Sequence, residues 1–206
     1  ELLGKNVVDE QSANITLSIG NKSMLMSSGL SVENYNSITV GGLPQGITAV
    51  TDGLADAAPI ALGQGNVRKA HAITPGGIRF LDMSDNEDSQ QYFDRLGQGF
   101  NTYTVKDDDQ LPGSKVGLLT GSVDIYLVTS VDMSNEDAFD IISAIEDNWS
   151  DMQTQFSALK RGSPNLFVGN NNHTIPFHDG AIQYYTEKDR WNEVLENTNQ
   201  TLLSQH

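Results

Sequence analysis

An alternation across the first 62 residues restricts the fold of this chain more than any other feature. Lys5–Val8 and Ser37–Val40 are short β-rich runs, and Ala55–Leu62 is a longer apolar one. Two stretches of helical periodicity lie between them. Ile15, Ile19 and Met26 form the first, closed by Gly29; Ile47, Val50 and Leu54 form the second, opened by Pro44 and stopped by Asp52-Gly53. Strands joined through helices pair in parallel, with the helices lying on the faces of the sheet. The expected fold class is therefore α/β, a parallel or mixed sheet flanked by helices.

The remaining elements are read in the same way. Residues 66–82 repeat a helix-then-strand signal, with Gly76-Gly77 ahead of Ile78-Arg79-Phe80-Leu81. Gln90–Leu96 has the pattern of a short amphipathic helix. Asn101–Lys115, with Asp107-Asp108-Asp109 and Pro112-Gly113, reads as a surface loop. Val123–Val131 is expected as a strand on the strength of Ile125, Leu127 and Val128. Ser134 opens the clearest helix: Asp137 stands at the third position of a capping box, and Phe139, Ile142, Ile145 and Trp149 line one face. Ser157–Asn172 is loop-rich. From Ile175 to Trp191 the sequence predicts a loop at His178-Asp179-Gly180, an N-cap at Asp179, and a short helix carrying Ala181, Tyr184, Tyr185 and Lys188. Asn192–Leu203 is a last helix.

Charge and composition exclude several functions. Asp and Glu outnumber Lys and Arg 27 to 12, a formal net charge of −15. Such a surface repels a phosphate backbone, so nucleic-acid binding is not expected. It suits a protein working in high salt, where repulsion is screened over a few Å. With no cysteine there is no disulfide, thiolate metal site or cysteine nucleophile. No run of about 18 apolar residues is present, so no membrane insertion is expected. Glu1-Leu2-Leu3-Gly4-Lys5 lacks the architecture of a signal peptide, which fits a cytoplasmic chain or one whose leader has been removed.

Two loops are the candidate ligand sites. Ser12, Ala13, Asn14 and Thr16 sit where a strand feeds a helix N-terminus; unpaired backbone N–H groups there favour a carboxylate, and the side chains could orient it. The plainer alternative is that Ser12 or Asn14 simply caps the helix. Gly63 and Gln64 follow the third apolar run, at the end of a strand where α/β sheets bind ligands, or else form an ordinary turn. His173, His178 and Asp179 lack metal-ligand spacing, and Asp82–Asp88 departs from a calcium loop, with Glu87 near the position that needs glycine. No phosphate-binding loop or nucleophile elbow occurs. Neither a cofactor nor a metal is expected.

Four segments, in order along the chain, resemble the TAXI-type solute receptors of tripartite (TRAP) transporters. Gly4-Lys5-x-Val7 is similar to the Gly-Lys-Arg-Val strand that begins their second lobe. Asp52-Gly53-Leu54-Ala55-Asp56-Ala57 resembles their Asp-Gly-x-x-Asp-Ala segment. Leu127-Val128-Thr129-Ser130-Val131-Asp132, ahead of the Ser134 helix, resembles their strand-to-helix junction. His178-Asp179-Gly180-Ala181 and Tyr184-Tyr185-x-Glu187 resemble their C-terminal motif, with Asp179 where the family has Pro. The loop after the first strand departs from the family's Gly- and Ser-rich pattern and keeps only Ser12.

The resemblance implies a type II periplasmic-binding-protein-like fold with a partial two-lobe architecture. Residues 1–118 would form the second lobe; residues 119–206 would supply a crossover strand and C-terminal helices completing a first lobe whose N-terminal part lies outside these residues. It further implies a periplasmic or otherwise extracytoplasmic receptor, not an enzyme, that binds a small organic acid or a glutamate-like amino acid and delivers it to TRAP membrane subunits. An enzyme or a ligand sensor on the same scaffold is the alternative.

Overall fold

Val7 and Val8 point to opposite faces of β1 (Asn6–Gln11), and both are buried. Successive side chains of a strand alternate, so β1 must be covered on both sides, as parallel strands with helical crossovers are. The computed structural model describes every residue except 63, 84–88, 97–98, 108–110, 156–158, 161, 170–172 and 206. In it β1 pairs in parallel with β2 (Asn36–Val40), Asn6 lying opposite Asn36. At the other edge of β1, Val7 bridges Ala57, and the Val8 N–H donates to the Ala57 carbonyl at 2.9 Å. Residues 55–62 therefore contribute one bridge in place of the strand expected. Pro59, which has no N–H to donate, works against extending the ladder.

Helix α1 (Ile15–Ser27) connects β1 to β2, and α2 (Leu43–Thr51) leads from β2 back to residue 57. Each covers one face. Val7 packs with Leu2, Tyr35 and Leu25, whereas Val8 packs with Ala49, Ala55 and Val50. Asn14 caps α1, its Oδ1 accepting the Leu17 N–H at 2.9 Å. The expected inner face of α1 is turned outward: Ile15, Ile19 and Met26 are exposed, and Gly20, Asn21, Ser23 and Ser27 are buried. Small side chains let the helix approach its neighbours closely; Phe100 lies 3.8 Å from where a Cβ on Gly20 would stand.

Further along are α3 (Val67–Ile73), α4 (Ser89–Asp94), and an antiparallel pair of β3 (Phe100–Thr104) and β4 (Leu119–Val123). Residues 78–81 form no strand; the Phe80 N–H donates to the Gly113 carbonyl at 2.8 Å. The stretch read as a loop from Asn101 instead continues β3 through Thr104. The strand expected over 123–131 lies upstream, over 119–123. Residues 124–130 carry no strand, and Ile125 is 92% exposed.

The chain divides into two compact units, 1–123 and 124–206. The second is helical: α5 (Asn135–Asp147), α6 (Trp149–Gln155), α7 (Asp179–Glu187) and α8 (Glu193–Leu203). Ser134 caps α5 as its spacing predicts, Oγ accepting the Asp137 N–H at 3.0 Å. For α7 the cap is His178 and not Asp179. The His178 Nδ1 accepts the Gly180 N–H at 3.1 Å, which assigns the proton to Nε2, 3.1 Å from the Met133 carbonyl. Ala181, Tyr184 and Tyr185 form the core of this unit with Phe139, Phe177 and Trp191. Arg190 grips Glu146 through two hydrogen bonds of 2.7 and 2.8 Å.

Candidate functional site

A cavity of about 390 Å³ opens at the C-terminal end of β1. Its walls are Glu10, Gln11 and Ser12 from the end of β1, Ile15, Ser18, Ile19 and Lys22 from α1, and Thr39 from β2. The position follows from topology. After β2 the chain returns past β1 to pair on its far edge, and the ends of parallel strands beside such a reversal are left open to ligands.

A bulge shapes the polar wall. Val8 pairs with Ile38 and Glu10 with Thr39, leaving Asp9 as an extra residue. In a regular strand Asp9 and Glu10 would face opposite sides; a bulge breaks that alternation. Both carboxylates consequently reach Lys22. Its Nζ is hydrogen-bonded to Glu10 and lies 4.0 Å from Asp9 Oδ2. Asp9 is fully buried and accepts the Tyr35 hydroxyl at 2.9 Å, with the Ser37 hydroxyl on its other oxygen. Thr39 Oγ1 donates to Glu10 Oε2 at 3.1 Å. The Lys22 hydrogen bond, followed by that from Thr39, holds the Glu10 carboxyl below its ordinary range. Burial, and then the hydrogen bond to Asp9, pushes the Tyr35 hydroxyl up to about 12.

Gln11 meets the α1 side through its backbone, its N–H donating to Ser18 Oγ at 2.8 Å. It lies opposite Val40, which packs with Val8, so its side chain is on the other face of β1, where its Nε2 is one of several buried polar atoms with no partner among the described residues. A buried amide without a partner loses its hydration with no return, about 1–3 kcal/mol, unless a ligand or water completes it. Ile15 and Ile19, one helical turn apart, provide an apolar wall opposite.

Of the six residues singled out from the sequence, Ser12 lines this cavity. Its N–H donates to the Val40 carbonyl at 2.9 Å, and the Ala13 N–H donates to the Gly41 carbonyl at 3.2 Å. Asn14 donates its N–H to Gln11 and caps α1. Thr16 is exposed on the first turn of α1. Gly63 lies outside the described residues. Gln64 closes the turn ahead of α3, donating its N–H to the Ala61 carbonyl at 3.0 Å and accepting from Val67 at 3.2 Å. The wall residues that the sequence did not disclose are Glu10, Gln11, Ile15, Ser18, Ile19, Lys22 and Thr39. One signal was available: Lys22 is the first cation after Lys5 and follows the Asp9-Glu10 pair.

Among the described residues no group of three or more His, Asp or Glu could hold a metal ion, and no helix is long and apolar enough to cross a membrane. His173, also 3% exposed, packs edge-on against Phe177 at 4.8 Å. Of the Asp82–Asp88 run, residues 84–88 lie outside the described residues.

Compared with known proteins, residues 12–188 match the profile of the NMT1-like family. No curated protein matches the chain.

Proposed function

The chain belongs to the NMT1-like family, a periplasmic-binding-type family, and from that premise we propose that it is a solute receptor whose ligand occupies the cavity beside β1. The observation that carries this reading is the open cavity at the C-terminal end of β1, beside a chain reversal of the kind that leaves strand ends free for ligands, in a chain that matches a binding-protein family over residues 12–188. The resemblance to TAXI-type receptors supports a finer version. In it the protein is the extracytoplasmic receptor of a TRAP-type transporter, residues 1–118 and 119–206 belong to its two lobes, and the ligand is a small organic acid or a glutamate-like amino acid. Closure over the ligand would be driven by contacts available only in the closed state. Delivery to the membrane subunits would follow on reopening.

A receptor fits the wall better than an enzyme does. Ser12, Ser18 and Thr39 are its hydroxyls, and among the described residues that line it there is no imidazole to activate them. The carboxylate among the described lining residues, Glu10, is hydrogen-bonded to Lys22 and to Thr39. The test is thermal stabilisation by a panel of organic and amino acids, run on the native protein and on Ile19→Trp, which fills the cavity from an exposed position. The reading expects at least one compound to raise the melting temperature of the native protein and to lose most of that effect in Ile19→Trp. Equal stabilisation of both would move the ligand away from this cavity. A sensor would share the cavity, so loss of solute uptake in cells lacking the protein separates transport from sensing.

A further inference from the structure

His178 holds two segments together, and it does so only as a neutral ring. Its Nδ1 accepts the Gly180 N–H at 3.1 Å, at the start of α7. Its Nε2–H donates at 3.1 Å to the carbonyl of Met133, whose own N–H closes a turn onto Ser130 just ahead of α5. A proton added to Nδ1 makes that nitrogen a donor, and two N–H groups would then face each other. Gly180 is buried against Asn135 and Ala138, so water does not replace the lost acceptor. The N-terminus of a helix also disfavours positive charge. The surroundings pull the other way. The charged side chains on the segments that meet at this ring are Asp132 on the turn, Glu136 and Asp137 on the first turn of α5, and Asp179 beside it, all acidic and exposed. From α8 the loop is met by Asn199, which is uncharged. Lys188 stands at the far end of α7, and Arg190 is held by Glu146.

We propose that His178 is a proton-operated latch: the neutral ring pins the start of α7 to the turn ahead of α5, and uptake of one proton at Nδ1 releases the first turn of α7. The charged ring gives up Gly180 and turns toward the surrounding carboxylates, which stabilise the imidazolium that the cap rejects. Asn or Ser would cap the helix as well, but of the capping side chains only an imidazole changes charge between about pH 5 and pH 8. The latch lies within residues 124–206 and is independent of the cavity beside β1.

Nuclear magnetic resonance on the full chain, at about pH 8 and about pH 5, tests it. Imidazole nitrogen shifts report the tautomer and charge of His178. Hydrogen exchange of the Gly180 amide, corrected for the intrinsic rate at each pH, reports the cap. The Nε2–H tautomer is expected at the higher pH and the imidazolium at the lower one. Gly180 protection should fall by at least about fivefold between them, the worth of one cap. Ile142, in the middle of α5, should keep its protection, which separates release of the latch from unfolding of the unit. His178→Asn, which caps without titrating, should hold Gly180 protection level over the same range. The proposal is overturned if the ring charges while Gly180 stays protected, if the ring is still neutral at the lower pH, or if Ile142 loses protection in step. It is equally overturned if His178→Asn shows the same fall, which would assign the effect to another group. Should His178→Asn fail to fold, the measurements on the native protein decide alone.

Discussion

Gly180 stands at the second position of α7, where that helix starts against α5. A Cβ placed on it would lie 2.2 Å from the Asn135 carbonyl oxygen, 2.9 Å from its carbon and 3.0 Å from Ala138 Cβ. Heavy atoms in contact prefer about 3.5–4.0 Å, so Gly180→Ala forces the start of α7 to withdraw by about 1 Å. The two nearest obstructing atoms are backbone and the third is an alanine Cβ, so none can rotate aside. Overpacking of this kind costs about 1–3 kcal/mol. Alanine recovers up to about 1 kcal/mol of helix propensity, and less near a helix end. Sterics wins, for a net loss of about 1–2 kcal/mol. Both tryptophans, Trp149 and Trp191, lie in residues 124–206, so urea unfolding followed by tryptophan fluorescence reports on this unit directly. The midpoint should fall with the slope unchanged. A midpoint equal to or above that of the native protein would refute the argument, because propensity would then outweigh a contact that close packing forbids.

Two other perturbations test the same unit. Arg190→Met strands the Glu146 carboxylate, whose side chain keeps only 17% of its exposure; a loss of about 2 kcal/mol is expected, between the values for exposed and buried pairs, measured by the same urea titration. His173 provides the pH dependence. Burial lowers its pKa below the ordinary histidine value, so as pH falls below about 6.5 the unfolded chain takes up a proton that the folded chain refuses. Stability therefore declines on the acid side, from the unfolded value down to the lowered folded one. His173→Phe should make this limb shallower in melting curves from pH 7.5 to 5; an unchanged limb would assign it to other groups.

The sequence by itself determined most of the helices. The helices capped by Asn14 and Ser134 are where their caps and periodicity place them, because a capping side chain and its amide lie within a few residues of each other. The parallel order of β1 and β2 was equally legible, since a helix between two strands leaves little alternative. Which face of α1 is inside was not. Ile15 and Ile19 have the spacing of a core stripe, and only the close approach to neighbours, which admits Gly20 and Ser23, turned that stripe toward the cavity. Residues 124–130 show the same limit: a strand exists only through a hydrogen-bonded neighbour, and apolar content cannot supply one. The candidate site was legible at Ser12 alone. Its charge balance depends on a bulge at Asp9, a relation between β1 and β2 that no single stretch of sequence contains, and that relation brought two carboxylates to one lysine.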